Sequence, residues 1–296
     1  MKLRNLCIGT ALVLASSSVS YAAVSIASDS LNSSWTQMTY AGLGEYDYIQ
    51  DEQATNSESD IVGNTNNSSF YTFYDTNGTL PTNDDVIGYR VRVAGDKKSD
   101  GQFGQVVFVG MDLDGDFALD VFAGVSFSGS TEIIGLFEAG NDLNNSPSTT
   151  SISGISSTYQ NPAVDGDNFS FRAVTVADGG TTTDVDAGNP GKASGTDFYI
   201  SFSMPYSDLA GFAADKGIAF GPDTPISYVL ATATQDNSLN QDFNGLPKNF
   251  DGTTTWEEHG VLTEPKTVTG ASVPEPSSVF LTGLAGLAFL FRRSRK

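Results

Sequence analysis

The chain has 296 residues, with 35 acidic against 15 basic side chains, a formal net charge of −20, one histidine and one cysteine. A surface of that sign repels nucleic acid and anionic lipid and suits divalent cations and high salt, which argues against a nucleic-acid partner. The lone histidine excludes three-histidine zinc sites, and the lone cysteine excludes an internal disulfide.

Lys2 and Arg4 precede an apolar run from Leu6 to Ala15, and small residues then lead to Ser20-Tyr21-Ala22. This is the layout of a secretory signal peptide over residues 1–22, cleaved after Ala22. Cys7 lies inside it, ahead of the apolar core and without a lipobox, so the exported protein is expected to be cysteine-free. Removing Lys2, Arg4, the four basic tail residues and Glu275 leaves 9 basic and 34 acidic residues, a net charge near −25.

Residues 23–265 read as one domain dominated by period-two alternation. Ile87, Tyr89, Val91 and Val93 alternate with Gly88, Arg90 and Arg92, predicting a half-buried strand with its arginines on the wet face. Val106–Val109, Val121–Phe127, Ile133–Phe137, Phe169–Val176, Phe198–Met204 and Ile226–Thr234 read as further strands, bounded by clusters of Gly, Asn, Asp and Ser. Only Ser207–Ala214 reads as a helix. Without alternation of strand and helix, the fold class is all-β: an antiparallel β-sandwich of jelly-roll type. Asn141–Gln160 and Ala177–Gly195 read as long polar loops.

Residues 266–272 read as a linker, and 273–296 as a three-part tail. Pro274-Glu275-Pro276 is held extended by its prolines, which suits an accessible protease substrate. The 13 residues Val279–Phe291, almost wholly apolar, would rise roughly 20 Å as a helix, short of the ~30 Å hydrocarbon layer unless Ser277, Ser278 and snorkelling arginines extend the span. Arg292, Arg293, Arg295 and Lys296 follow as a stop-transfer cluster that keeps the C-terminus cytoplasmic.

Within the domain, Asp112, Asp114, Asp116 and Asp120 form the sharpest constellation. Alternate carboxylates in a turn converge on one hard cation, and calcium accepts six to eight oxygens at flexible angles. The spacing resembles the calcium loops of thrombospondin-type and EF-hand-like repeats. It departs from them in placing Phe117 where glycine belongs, with Gly115 inside, and Ala123 at the twelfth position. The alternative is a solvated acidic turn built from residues that favour turns. Asp47, Asp51, Glu52 and Asp60 make a second, weaker acidic patch.

Catalytic signals are sparse. His259, in Trp256-Glu-Glu-His-Gly260, is accompanied by no Gly-x-Ser-x-Gly elbow and reads as a surface or strand-end residue, so the chain is expected not to be an enzyme. A glycoside hydrolase would need only two carboxylates, and that alternative stays open. Sugar binding is the other alternative: Trp35 and Trp256, with Tyr71, Tyr74, Tyr89, Tyr199 and Tyr228, are candidates for stacking on sugar rings, against a role in core packing. The two tryptophans would be neighbours only if the terminal strands pair. The polar run Asp236–Gly245 either bonds sugar hydroxyls or caps its own loop.

The order Pro-Glu-Pro, apolar segment, basic cluster resembles the PEP-CTERM signal, which implies recognition and cleavage by an exosortase, a transpeptidase-like membrane protease of Gram-negative bacteria. An unprocessed C-terminal anchor is the alternative. Four internal runs resemble PEP-CTERM proteins of marine gammaproteobacteria: Tyr46–Gln53 with Asp60–Gly63, Val109–Asp116, Asn145–Thr150 and Thr232–Gly245. The resemblance implies a protein that crosses the inner membrane, is held there transiently, and then resides at the cell surface or in an exopolysaccharide matrix. The exosortase is the partner the resemblance implies; extracellular polysaccharide is a further candidate partner, and calcium, read from the aspartate spacing, the candidate cofactor.

Overall fold

Strands form where β-branched and aromatic residues recur at every second position, because only an extended backbone sends those side chains to one face. The computed structural model describes residues 35–40, 47, 56–76, 85–129, 132–159, 168–178, 181–187 and 195–269. The predicted signal peptide with Ala22, the apolar segment Val279–Phe291, the motif Pro274–Pro276 and the basic residues Arg292, Arg293, Arg295 and Lys296 lie outside these, as do Asp51 and Glu52. No described helix is long and apolar enough to cross a membrane.

Among the described residues, ten strands make two antiparallel five-stranded sheets. In the first, β1 (Thr36–Gln37), β2 (Phe70–Asp75), β3 (Val86–Val93), β9 (Phe198–Pro205) and β8 (Phe169–Ala173) lie side by side in that order. The order in the second is β10 (Ser227–Ala233), β4 (Val106–Asp112), β5 (Val121–Ser126), β6 (Ile133–Ala139) and β7 (Ile152–Tyr159). The sandwich matches the predicted class, while the jelly-roll order does not. In a jelly roll consecutive strands cross between sheets, whereas β4 to β7 run as a meander within one sheet and β2–β3 and β8–β9 are neighbours within the other.

The core between the sheets takes Tyr89 and Val91 of β3, Ile200 and Phe202 of β9, Val107 and Val109 of β4, and Leu230 of β10. Its aromatic centre spans both sheets: the Phe70 and Tyr228 rings meet edge to face at 5.5 Å, and Tyr89 packs on Phe202 at 5.4 Å. A helix, α1 (Tyr206–Asp215), follows β9 and packs Leu209, Phe212 and Ala213 into the same core. It extends one residue beyond the predicted Ser207–Ala214 at each end.

Both outer faces are largely covered, including the face of β3 that the sequence predicts to be wet. On the second sheet, Phe108, Phe122, Phe137 and Val229 are covered by Phe243, Leu246, Trp256, Val261 and Leu262. A one-turn helix, α2 (Trp256–His259), carries that tryptophan and is closed by a Thr255–Glu258 capping box and a left-handed Gly260. Tyr71, Val174 and Tyr199 form a smaller cluster on the first sheet, with Trp35 packed against it.

Arg90 and Arg92 therefore correct the half-buried reading of β3. Both are fully buried. Arg92 pairs with Asp197 at 2.6 Å, both side chains being inaccessible, and its Nη2 donates to the Thr182 carbonyl at 3.0 Å. Arg90 donates to Ser201 Oγ at 2.7 Å and lies 4.2 Å over the Trp35 ring. Cross-strand register explains the grouping: Tyr199 on β9 stands opposite both Arg92 on β3 and Arg172 on β8. Burial, with the Arg172 charge adding to it, lowers the Arg90 guanidinium to about 10. Arg172 is bound on its outer side by Asp178, at 2.6 Å.

Other boundaries shift for local reasons. The strand predicted to reach Val176 stops at Ala173, and a 3-10 turn takes Val176–Asp178. Val174 N–H there bonds the Asp197 carbonyl, and Asp178 accepts from Thr175 N–H. The expected loop Asn141–Gln160 holds β7, whose Ser- and Gly-rich sequence hides a strand. Phe70–Asp75 and Thr36–Gln37 were also absent from the predicted strands.

Removing one partner of a buried ion pair leaves the other charge stranded, at about 3–5 kcal/mol. Arg92→Met should therefore lower unfolding stability by about that amount in urea denaturation. Arg92→Met combined with Asp197→Asn should recover much of the loss, and equal losses for single and double variants would contradict the assignment.

Candidate metal centre

β4 and β5 form a hairpin with Met111 opposite Val121; Asp112 ends β4, and the connection carries Asp114, Asp116 and Asp120. Asp120 N–H bonds the Met111 carbonyl at 2.8 Å, closing the neck of the loop. Asp112, the last residue of β4 and 1% exposed, sits at the base. Its Oδ1 accepts from Gly115 N–H at 2.7 Å and its Oδ2 from Phe117 N–H at 3.1 Å, which folds the loop back over it.

Gly115 has φ 80° and Phe117 φ 68°. Phe117 thus adopts the left-handed backbone that glycine supplies in the loops this spacing resembles, at a steric cost for a bulky side chain. Asp116 N–H donates to Asp114 Oδ1 at 3.2 Å and Ala118 N–H to Asp116 Oδ1 at 2.9 Å, so each successive carboxylate supports the next turn.

The outcome is convergence: Asp112, Asp114 and Asp116 each bring a carboxylate oxygen within 4.8 Å of the others. Asp114 and Asp116 are exposed. Asp120 is outside this triad; its Oδ2 accepts from Leu113 N–H at 2.8 Å and anchors the loop entry. Burial raises the Asp120 carboxyl to about 6, opposed by the Leu113 N–H and reinforced by the charges of Asp114, Asp112 and Asp116. Asp112 is raised too, by burial first, with the Gly115 and Phe117 N–H groups opposing and Asp116 and Asp114 adding. Among the described residues no lysine or arginine forms an ion pair with any of the four. A set of oxygens with unbalanced negative charge, one wall buried and one open to solvent, has the chemistry that a hard cation takes.

A second convergent group, missed in the sequence, is formed by Asp184, Asp186 and Asp197, again within 4.8 Å of one another. Asp197 precedes β9 and already meets Arg92, and its Oδ2 accepts from Val185 N–H at 2.9 Å. The alternation of Asp184 and Asp186 was a readable signal. Nothing local tied Asp197 to them, since it arrives through the fold. Because Arg92 partly balances this group, the hairpin triad is the less compensated of the two.

Of the weaker patch, only Asp47 and Asp60 are among the described residues. Both are buried, and Asp47 Oδ1 accepts from Gly245 N–H at 2.6 Å. The Asp236–Gly245 run spends polar groups inside the fold: Asp242 Oδ2 accepts from the distant Ile61 N–H at 2.8 Å, and Asn240 Oδ1 from the nearby Thr234 N–H at 3.1 Å.

The stacking candidates turn inward. Trp256 is fully buried and donates from Nε1 to the Asn144 carbonyl at 3.1 Å, so it offers no face to a sugar. Trp35 is half-buried between Arg90 and the Phe73 ring, 4.8 Å away. The terminal segments do meet, through Tyr40 opposite Thr263, yet the two tryptophans belong to different clusters over different sheets. Tyr71, Tyr89, Tyr199 and Tyr228 are buried, and Tyr74 bonds Asp85. His259 Nε2 meets the Asp251 carbonyl at 2.9 Å on the last residue of α2.

A protein-family model described as the PEP-CTERM protein-sorting motif matches residues 272–296, starting one residue before the expected tail. No curated protein and no solved structure matches the chain. The chain thus carries a PEP-CTERM sorting signal and is an exosortase-targeted protein, exported to the cell surface or the extracellular space.

Proposed function

We propose that the domain is a non-enzymatic structural or adhesive protein of the cell surface or exopolysaccharide matrix, stabilised by calcium at Asp112, Asp114 and Asp116. The observation that carries this reading is the convergence of the three carboxylates within 4.8 Å on one hairpin, with no basic side chain paired to them among the described residues. The inward-turned aromatics favour it over a carbohydrate-binding module. In this reading the chain is anchored transiently in the inner membrane by Val279–Phe291 and the basic residues behind it, and is released by cleavage near Pro274-Glu275-Pro276.

A thermal melt of residues 23–272 with excess calcium, then with chelator, tests the calcium reading. Ligand at 100 times Kd stabilises by about 2.7 kcal/mol when it binds only the native state. A large upward shift, abolished by Asp112→Ala with Asp116→Ala, is the expected outcome, and identical melts with and without calcium would retire the site.

The raised carboxyls give a pH signature. A carboxyl whose folded pKa exceeds its unfolded value stabilises the fold at low pH and loses that contribution as pH rises through the folded value. Without calcium, stability from Asp112 and Asp120 should fall between about pH 4 and the Asp120 value of about 6. Calcium should offset the fall most at pH 7, so melting curves across that range separate ligation from a general salt effect.

For sorting, alanines in place of Pro274-Glu275-Pro276 should leave an unprocessed, membrane-retained form in a host with an exosortase. Unchanged release into the medium would remove the role assigned to the motif.

A further inference from the structure

A sandwich of two sheets has four outer strand edges, and each is a row of backbone groups ready to pair with another chain unless it is blocked. In the first sheet, β2 is covered by β1 and by Met38, whose N–H donates to the Phe70 carbonyl at 3.1 Å. Its other edge, β8, is only five residues long and carries the ion-paired Arg172. In the second sheet, β10 is covered along its length. Gln241 N–H bonds Thr232, Asn244 N–H bonds Leu230, Thr263 N–H bonds Tyr228 and Lys266 N–H bonds Ile226, all at carbonyl oxygens between 3.0 and 3.2 Å.

The remaining edge, β7, is eight residues long and ends the second sheet. Among the described residues no backbone hydrogen bond reaches its outer side. Ser153, Gly154, Ile155 and Ser156 are exposed, with Ile155 41% exposed. Residues 143–164, which contain β7, hold no Asp, Glu, Lys or Arg in a chain of net charge −20. Edges are ordinarily blunted by charge, proline or shortness, and β7 has none of these. It has two register shifts against β6, between Leu136 and Phe137 and between Glu138 and Ala139. Such bulges increase local twist, which disfavours an unrelated straight strand. A copy of the same strand carries the same twist.

Electrostatics selects the same partner. Two copies of so acidic a chain repel over most of their surfaces, and the neutral edge is where they approach at least cost. A two-fold axis brings a strand against itself antiparallel, with self-complementary hydrogen bonding. We propose that β7 pairs with β7 of a second copy of this chain, joining two five-stranded sheets into one continuous sheet across the dimer. This does not depend on the calcium loop, so calcium-independent melts would leave it standing.

The test uses the exported protein recovered after processing in a host with an exosortase, with mass measured by light scattering across a concentration series. The expected result is a dimer that Ile155→Lys weakens at least tenfold while Ile155→Thr preserves it, far-UV circular dichroism showing both variants folded. Since Cys7 lies in the signal peptide, single cysteines at positions 153 to 156 can be introduced without competing thiols. At least one should cross-link two copies on oxidation, and Val176→Cys, on an exposed turn of the other sheet's connection, should not. A monomer at every concentration, a dimer indifferent to Ile155→Lys, or cross-linking at 176 in place of 153–156 would each overturn the proposal. Should Ile155→Lys fail to fold, the cysteine series decides alone.

Discussion

The buried pairing of Arg92 with Asp197 is the constraint on which the first sheet is organised. A guanidinium on the outer face of β3 cannot lie dry without an anion, so the segment before β9 must bring Asp197 to it, and residues 181–187 must close over both. Once that cover is in place, Arg90 is dry as well and takes Ser201, with Trp35 above its guanidinium plane. Tyr199 fills the space between Arg92 and Arg172. The outer face of this sheet is therefore a layer of charge and aromatic rings, while that of the second is a layer of hydrocarbon.

That difference explains which parts were legible. Period-two alternation located β3, β4, β5, β6, β8, β9 and β10 because their core-facing residues are large and apolar, and it gave the antiparallel class with them. The same rule misled on Arg90 and Arg92, since alternation shows which side chains share a face and not what later covers it. Asp197 lies 105 residues from its partner, and no local pattern announces it. β7 was hidden for the opposite reason: its serines and glycine read as loop, and its place in the sheet is decided by β6 beside it.

The hairpin site was legible to a similar depth. Alternating aspartates signalled three converging carboxylates, because a tight turn points alternate side chains inward. What spacing alone could not separate was Asp120 from the other three. It sits on the strand side of the neck, where its oxygen is committed to Leu113 N–H. The missing glycine at position 117 proved a poor guide, since the turn forms with Phe117 in the left-handed region.

A wider regularity connects these sites with the single cysteine of the chain, Cys7, which can form no internal disulfide. Small exported domains often hold loops with disulfides. Here buried or half-buried carboxylates perform that service by accepting backbone N–H groups from distant loops, Glu58 from Lys97 and Gly104, Asp242 from Ile61 and Asp47 from Gly245, while Asp178 closes its own turn by accepting from Thr175. Bonds from N–H to a carboxylate are stronger than neutral ones, and in a dry setting each also satisfies donors that would otherwise be stranded. The cost is a pH-dependent fold. Burial raises the Glu58 carboxyl, so its charged, clamping form is disfavoured, whereas Arg172 and the Thr175 N–H outweigh burial at Asp178 and hold its carboxyl low. Glu58 is thus a weaker clamp whose charged form works against burial, and Asp178 a strong one that fails only in acid. The excess of acid is therefore structural as well as superficial: part of it sets the surface charge, and part is built into the loops.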